Sequence, residues 1–172
     1  MENQNRSYTP RDTFSAELEK NRPQALAWVR GGTAWPALSG LVKFFETPYG
    51  GTLVEAEVFG LPNQNRPGSS DFYAMHIHEG GDCDFGHSEP FGESGGHYNP
   101  GMTLHPYHSG DLPPLLANQG YAWTAFYDKR FTWRELLGRT VIIHAGVDDF
   151  TSQPSGNSGN RIGCGVIRVN QS

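Results

Sequence analysis

The chain has 172 residues, of which 36% are hydrophobic, and a formal net charge of −5. This length fits one domain with its own core, and the acidic balance without a continuous basic tract argues against nucleic-acid binding. No apolar run reaches the length of about eighteen residues that a transmembrane helix needs, and the 22 Gly and 12 Pro favour short strands joined by turns.

The N-terminal segment is polar and carries no candidate chemistry. Residues 1–24 are predicted to form an arm with a single helical turn around residues 13–20, and the domain is expected over residues 25–172. Residues 1–21 lack the apolar centre of a secretion signal. We therefore expect a cytoplasmic protein by default, or an extracytoplasmic one where a signal has been cleaved.

The rest of the chain reads as an all-β domain. Val54, Ala56 and Val58 alternate with Glu55 and Glu57, which is typical of a half-buried strand. Seven strands are predicted, at residues 25–30, 38–46, 52–61, 71–78, 122–127, 140–144 and 161–169. A short eighth strand is predicted at residues 112–116. Their spacing predicts an antiparallel eight-stranded Greek-key β-barrel or sandwich of immunoglobulin-like type, with long loops.

One connection is expected to be helical. Thr132 and Glu135 have the spacing of a capping box and Gly138 suits a helix end, so we predict one helical turn between them. The four Trp are expected to be core or interface groups.

Potential metal ligands cluster in the middle of the chain. They are His76, His78, His97, His105, His108 and Asp111, joined by His144 in a later apolar run. His76 and His78 are two apart on a predicted strand, so both rings project from one face and can bind one ion. Nitrogen ligands of this kind suit copper or zinc, and three His with one Asp suit a closed zinc site.

Ligand counting adds a constraint. Two four-ligand sites need eight positions, so these seven residues suffice only if one imidazole is shared between both ions. The remaining histidine, His87, is expected to be a solvated loop residue.

Two further residue groups leave choices open. Cys83 and Cys164 could form a disulfide that closes a long loop, or remain two free buried thiols. The basic residues Lys129, Arg130, Arg134 and Arg139 are interpreted as a solvated face.

The second half of the chain resembles the copper/zinc superoxide dismutase family. The motifs that carry this resemblance, in family order, are His76-Ile77-His78-Glu79, Gly96-His97-Tyr98-Asn99-Pro100, His108-Ser109-Gly110-Asp111-Leu112, His144 with Asp148-Asp149, and Arg161-Ile162-Gly163-Cys164-Gly165-Val166.

This resemblance implies the following site. Copper would be bound by His76, His78, His97 and His144, and zinc by His97, His105, His108 and Asp111. His97 would then be the shared ligand and also the group that supplies a proton to the peroxide product. Asp148 would orient one His of each site, Arg161 would attract and orient superoxide, and Cys83 would be disulfide-bonded to Cys164. The family also makes a homodimer possible.

Two other kinds of function fit the sequence less well than superoxide dismutation. A related domain could bind or deliver copper without catalysis, but such domains usually lack a copper ligand or the cation that Arg161 supplies here. Dinuclear hydrolases would need Asp and His where Gly80 and Gly81 stand, and Glu79 follows His78 too closely for a cupin.

The chain also departs from the family pattern in one loop. No Lys, Arg, Asp or Glu lies between Asp149 and Arg161, and Ser155 stands where the family has a small hydroxyl residue in the substrate channel. We therefore expect a weaker dependence on ionic strength than in members with a charged loop.

Overall fold

The computed structural model describes residues 9–62, 71–85 and 90–171. The elements in this part of the chain are α1 (Pro10–Lys20), β1 (Ala25–Gly31), β2 (Ser39–Glu46), β3 (Thr52–Phe59), β4 (Phe72–Tyr73), β5 (Met75–His78), a 3-10 turn (Gly92–Ser94), β6 (Leu115–Leu116), β7 (Ala122–Asp128), β8 (Thr140–His144) and β9 (Arg161–Val169). None of the described helices is long and apolar enough to span a membrane.

Seven of the strands form one antiparallel sheet in the order β5-β8-β9-β1-β2-β3-β7. β5 and β7 lie at opposite ends of this order, yet Ile77 of β5 and Ala122 of β7 belong to the same buried core cluster. The sheet is therefore curled around one core, and the all-β prediction is confirmed.

The predicted strand at residues 71–78 is divided between two sheets. Tyr73 of β4 pairs with Leu115 of β6 in a separate two-stranded sheet, whereas Met75 of β5 pairs with Ile143 of β8. Ala74 lies between them and its backbone N–H donates to the carbonyl of Gly146 (2.8 Å). An alternating pattern shows which face is buried but not which strand is the neighbour, so the described residues contain nine strands where eight were predicted.

The connection after residue 131 is not an α-helix. The predicted capping bond is present, since the Thr132 backbone N–H donates to Glu135 Oε2 (2.6 Å), and Gly138 has a positive φ of 79°. The backbone bonds that follow join residues three apart, such as Glu135 N to Thr132 O (3.1 Å). This segment is a series of tight turns rather than an α-helical turn.

The N-terminal arm contains a longer helix than predicted. α1 begins after Thr9, whose backbone N–H donates to Asp12 Oδ2 (2.9 Å), and has Pro10 at its first position. The Phe14 ring stacks on Tyr127 with ring centroids 4.8 Å apart and meets Tyr49 edge-on at 5.8 Å. The helix is thereby attached to the outer face of the sheet, and the domain start at residue 25 stays a prediction.

Two buried side chains lie outside the core cluster, on the face of the sheet to which α1 is attached. Phe45 and Leu53 are paired across β2 and β3, and Leu53 is paired with Tyr127 of β7. Neighbouring Phe44 and Val54 face the core, so Phe45 and Leu53 face outward, yet they are only 1% and 2% exposed. Farther along the same face Trp28 and Trp123 remain more than half exposed, while Trp35 and Trp133 pack against the core.

We expect Phe14→Ala to detach α1 and lower the free energy of unfolding by about 1–3 kcal/mol, because Phe14 supplies the aromatic contacts with the sheet. Urea unfolding would measure the loss, and amide hydrogen exchange would show faster exchange in α1. Met102→Ala, at a side chain 90% exposed, is the matched control. Unchanged exchange in α1 would show that Phe14 does not attach the helix.

Candidate metal centre

The centre forms where a long loop pairs with the free edge of β5. Ile77 N–H donates to the carbonyl of Gly110 (2.9 Å), and Tyr98 N–H donates to the carbonyl of Ile77 (2.8 Å). A side chain at Gly110 would lie 2.3 Å from the Ile77 oxygen, so only glycine allows this approach. As a result His76 lies opposite Asp111, and His78 opposite His97.

Four buried imidazoles converge at one end of β5. His76 and His78 come from β5, His144 from the end of β8, and His97 from the loop. One nitrogen of each lies within 4.8 Å of the others. His78 Nε2 and His144 Nε2 face each other at 3.4 Å, and a β-bulge at Ile143 and His144 changes the register where His144 enters the group.

A second buried group lies beside the first and consists of His97, His105, His108 and Asp111. The Asp111 carboxylate is the common point, because His97 Nδ1 lies 2.6 Å and His105 Nδ1 3.1 Å from its oxygens. His108 Nδ1 lies 3.2 Å from the same carboxylate. Three nitrogens and one carboxylate oxygen are the donor set of a closed zinc site.

His97 belongs to both groups. Its Nδ1 faces Asp111, while its Nε2 is buried without a hydrogen-bond partner. Buried polar nitrogens are normally satisfied, and His76 Nδ1 is also unpartnered. These unpartnered nitrogens point into the groups that could hold metal ions, so the residues present fit metal binding.

Asp148 connects the two groups from behind. It is 2% exposed, and its two oxygens accept hydrogen bonds from His76 Nε2 and His105 Nε2, both at 2.8 Å. Gly156 packs against this pair so closely that a side chain there would lie 2.0 Å from Asp148 Oδ1. Asp148 therefore holds one ring of each group in a fixed orientation.

The Arg161 guanidinium is held by neutral acceptors at the edge of the first group. It donates to the carbonyl of Phe91 (2.6 Å), the hydroxyl of Ser94 (3.1 Å) and the carbonyl of Gly95 (2.7 Å). The Gly95 carbonyl also accepts a hydrogen bond from His78 Nδ1 (2.9 Å). One carbonyl therefore positions Arg161 and an imidazole of the first group together.

A disulfide joins Cys83 to Cys164, which are 81 positions apart in sequence. Of the two choices that the sequence left open, the paired one is correct. Phe91 packs against both cysteines and Ile142 in a small buried cluster. The disulfide thus fixes the loop whose carbonyls hold Arg161.

Arg130 was interpreted as part of a solvated face, and it is exposed, but its guanidinium also has specific partners that the sequence did not predict. Its Nε donates to both oxygens of Asp128 (3.0 Å each), Nη1 donates to the carbonyl of His108 (2.9 Å), and Nη2 donates to the carbonyl of Asp111. The Asp128-x-Arg130 spacing after a predicted strand was the available signal, but nothing in it identified the carbonyls. Arg139 also has a specific contact, with its guanidinium 3.9 Å from the centre of the Tyr98 ring.

Two sequence predictions are left as they were. His87 lies outside the described residues. The backbone carbonyl of Ser155 accepts a hydrogen bond from Ser158 (2.6 Å), and the expected role of its hydroxyl in a channel stays a prediction.

Burial favours the uncharged form of three imidazoles of the first group, those of His76, His78 and His144. It lowers the pKa of His78 to about 2, with further lowering from nearby His144, and it lowers the pKa of His144 to about 3. Burial also lowers the pKa of His76, although the hydrogen bond to Asp148 opposes this. Neutral imidazoles have the free lone pair that metal binding requires.

The two carboxylates stay ionised. Burial acts to raise the pKa of Asp111, but its hydrogen bond with His97 and the nearby imidazoles lower it to about 2. The pKa of Asp148 is also lowered, because hydrogen bonds from His76, Phe150 N–H and His105 outweigh its burial.

Comparison with known proteins agrees with this geometry. The model of the family described as copper/zinc superoxide dismutase (SODC) matches residues 38–167. A Cu-Zn superoxide dismutase of Deinococcus radiodurans is 33% identical over 77% of this chain and 78% of its own length. Superoxide dismutase [Cu-Zn] 3 of Arabidopsis thaliana is 30% identical over 91% and 96%.

The solved structure of a SOD-like protein from Bacillus subtilis is similar in fold, with a TM-score of 0.64 and 28% identity over 82% of this chain and 96% of that one. An antiparallel barrel with two adjoining groups of metal-binding side chains defines a class of metalloprotein. This chain belongs to the copper/zinc superoxide dismutase family, and it is an oxidoreductase of that kind.

The metal-free protein should lose stability as the pH falls below about 6.5. Folding lowers the pKa of His76, His78 and His144 below the ordinary histidine value of 6.5, so below that pH the unfolded chain binds more protons. The contribution of these three histidines to the free energy of unfolding is complete above this pH. Below it, each histidine can lower the free energy of unfolding by up to about 1.4 kcal/mol per pH unit.

Urea unfolding of metal-free protein at several pH values would measure this slope. His78→Gln should make it shallower, because one of the buried titrating groups is removed. An equal slope in the variant would contradict the assignment.

Proposed function

We propose that this protein converts superoxide to dioxygen and hydrogen peroxide at a copper site bridged to a zinc site. Copper would be held by His76, His78, His97 and His144, and zinc by His97, His105, His108 and Asp111. The observation that supports this most strongly is the sharing of His97 by two buried groups with different donor sets. Nitrogen-only and mixed nitrogen–oxygen sets are those that copper and zinc use.

The remaining ring nitrogens support the same assignment. In the copper group, His76 Nε2 is bonded to Asp148, His78 Nδ1 to Gly95 O, and His144 Nδ1 to Gly159 O (3.1 Å). Each of these bonds selects the tautomer that leaves the other nitrogen free for a metal. Bound copper would supply one-electron chemistry, taking an electron from one superoxide and returning it to a second, which leaves as hydrogen peroxide.

The protein's own groups have separate tasks in this reaction. Arg161 would attract the superoxide anion and orient it, since its guanidinium is fixed by the carbonyls of Phe91 and Gly95. Reduction of superoxide to hydrogen peroxide consumes two protons. His97 would carry one of them at Nε2 whenever that nitrogen is not a metal ligand and pass it to the product, while Nδ1 stays beside Asp111 and the second proton comes from solvent.

The first experiment is to load the purified protein with one equivalent each of copper and zinc and follow superoxide decay directly. Rapid decay that is lost in His97→Asn, together with a changed copper EPR spectrum, is the expected result. Bound copper without decay would instead indicate a protein that binds or delivers metal.

Arg161→Ala should lower kcat/KM about tenfold or more, because the attraction for the anion is lost. Arg168→Ala removes an exposed charge from the same strand and should change the rate little. Metal content measured in both variants separates a loss of steering from a loss of copper. Equal rates in the two variants would contradict the role of Arg161.

The rate should depend only weakly on ionic strength. The loop between Asp149 and Arg161 contains no charged side chain, so guidance of superoxide relies on Arg161 at short range, where salt screens less. The test is to measure kcat/KM from low salt up to physiological ionic strength, where the Debye length is about 8 Å. A steep fall would show that distant charges guide the substrate.

A homodimer, also suggested by the family, stays a prediction.

A further inference from the structure

Gln153 makes a paired contact with the backbone of a proposed zinc ligand. His105 N–H donates to Gln153 Oε1 (3.0 Å), and Gln153 Nε2 donates to the carbonyl of His105 (2.7 Å). The two residues are 48 positions apart in sequence. The side-chain amide thus occupies both hydrogen-bonding groups of His105, much as a neighbouring strand would.

The same loop also holds the His105 ring. Asp148 lies five residues before Gln153 and accepts the hydrogen bond from His105 Nε2 (2.8 Å). Two backbone hydrogen bonds close this loop. Asp149 N–H donates to Gly156 O (2.9 Å), and Gly156 N–H donates to Ser152 O (2.7 Å). One closed loop therefore fixes both the ring and the main chain of His105.

These contacts have a geometric consequence. With its ring bonded to Asp148 alone, His105 could still shift along the hydrogen bond through movement of its backbone. With its backbone bonded to Gln153 as well, Nδ1 is directed at the Asp111 carboxylate, 3.1 Å away. His105 is 3% exposed, so the group that is fixed is buried even though Gln153 lies at the surface.

We infer that Gln153 is a positioning residue for the zinc site, which sets His105 in place through its backbone and ties zinc binding to the order of the loop that carries Asp148. This inference rests on the proposed function, because it assumes that zinc binds to the group containing His105. Neither the His-x-His motif nor the family match assigns a role to this side chain.

The test compares zinc affinity, by chelator competition, in the full-length wild-type protein and three variants. Gln153→Ala removes both bonds and should weaken zinc binding about tenfold, at the low end for residues that orient metal ligands. Gln153→Glu can still accept from His105 N–H but cannot donate to its carbonyl, so it should lie between wild type and Gln153→Ala. The matched control is Gln24→Ala, since Gln24 Oε1 also accepts from a backbone N–H, that of Glu46 (2.6 Å), far from the centre.

Two further measurements separate positioning from a general loss of stability. Cobalt bound in the zinc site should give a changed visible spectrum in Gln153→Ala and an unchanged one in Gln24→Ala. Amide hydrogen exchange of residues 146–160 in the zinc-loaded protein should be faster in Gln153→Ala only.

Equal zinc affinity and an equal cobalt spectrum in wild type and Gln153→Ala would overturn the inference while leaving the proposed function intact. The same loss of affinity in Gln24→Ala would overturn it as well, because it would reflect stability alone. If wild-type protein fails to bind zinc through this group, the proposed function itself is wrong.

Discussion

The whole metal centre depends on the backbone pairing of Ile77. This residue lies between His76 and His78 on an edge strand, and it bonds to Gly110 on one side of the long loop and to Tyr98 on the other. Gly110 N–H also donates to the carbonyl of Tyr98 (2.8 Å), so three backbone segments are joined to one another. These main-chain bonds bring His97 and Asp111 to β5 without depending on the identity of the side chains that make them.

Once the rings are close, their orientation is set by the nitrogens that face away from the centre. These nitrogens bond to the carboxylates of Asp148 and Asp111 or to backbone carbonyls such as Gly95 O. Burying an imidazole is costly unless the ring nitrogen that faces away from the centre has a hydrogen-bond partner. Burial favours the neutral state of His76, His78 and His144, and the partners set the direction of their free lone pairs.

The sequence predicted which candidate ligands and which carboxylate, Asp148, come together, but it did not predict every residue that holds them in place. His76 and His78 could be assigned because the spacing along a strand determines which face a side chain occupies. Arg130 and Gln153 bind main-chain carbonyls distant in sequence, and such acceptors have no side-chain signature. Their partners appear only when the loop geometry is known.

The helix α1 shows a related limit. The capping pattern of Thr9 and Asp12 with Pro10 was present in the sequence, but the helix has no fully buried residue. Isolated helices of this length are marginal in water. Its attachment comes from Phe14 on Tyr127, a contact between residues too far apart for any local pattern to reveal.

The acceptors around Arg161 connect the fold to the chemistry of an anionic substrate. The oxygens of Phe91, Gly95 and Ser94 are uncharged acceptors, so they orient the guanidinium without themselves placing a negative charge beside it. The disulfide between Cys83 and Cys164 fixes the segment that supplies these oxygens. The net charge is −5 and no charged side chain lies between Asp149 and Arg161, so the proposed attraction of superoxide would depend more on the orientation of Arg161 than on the overall field.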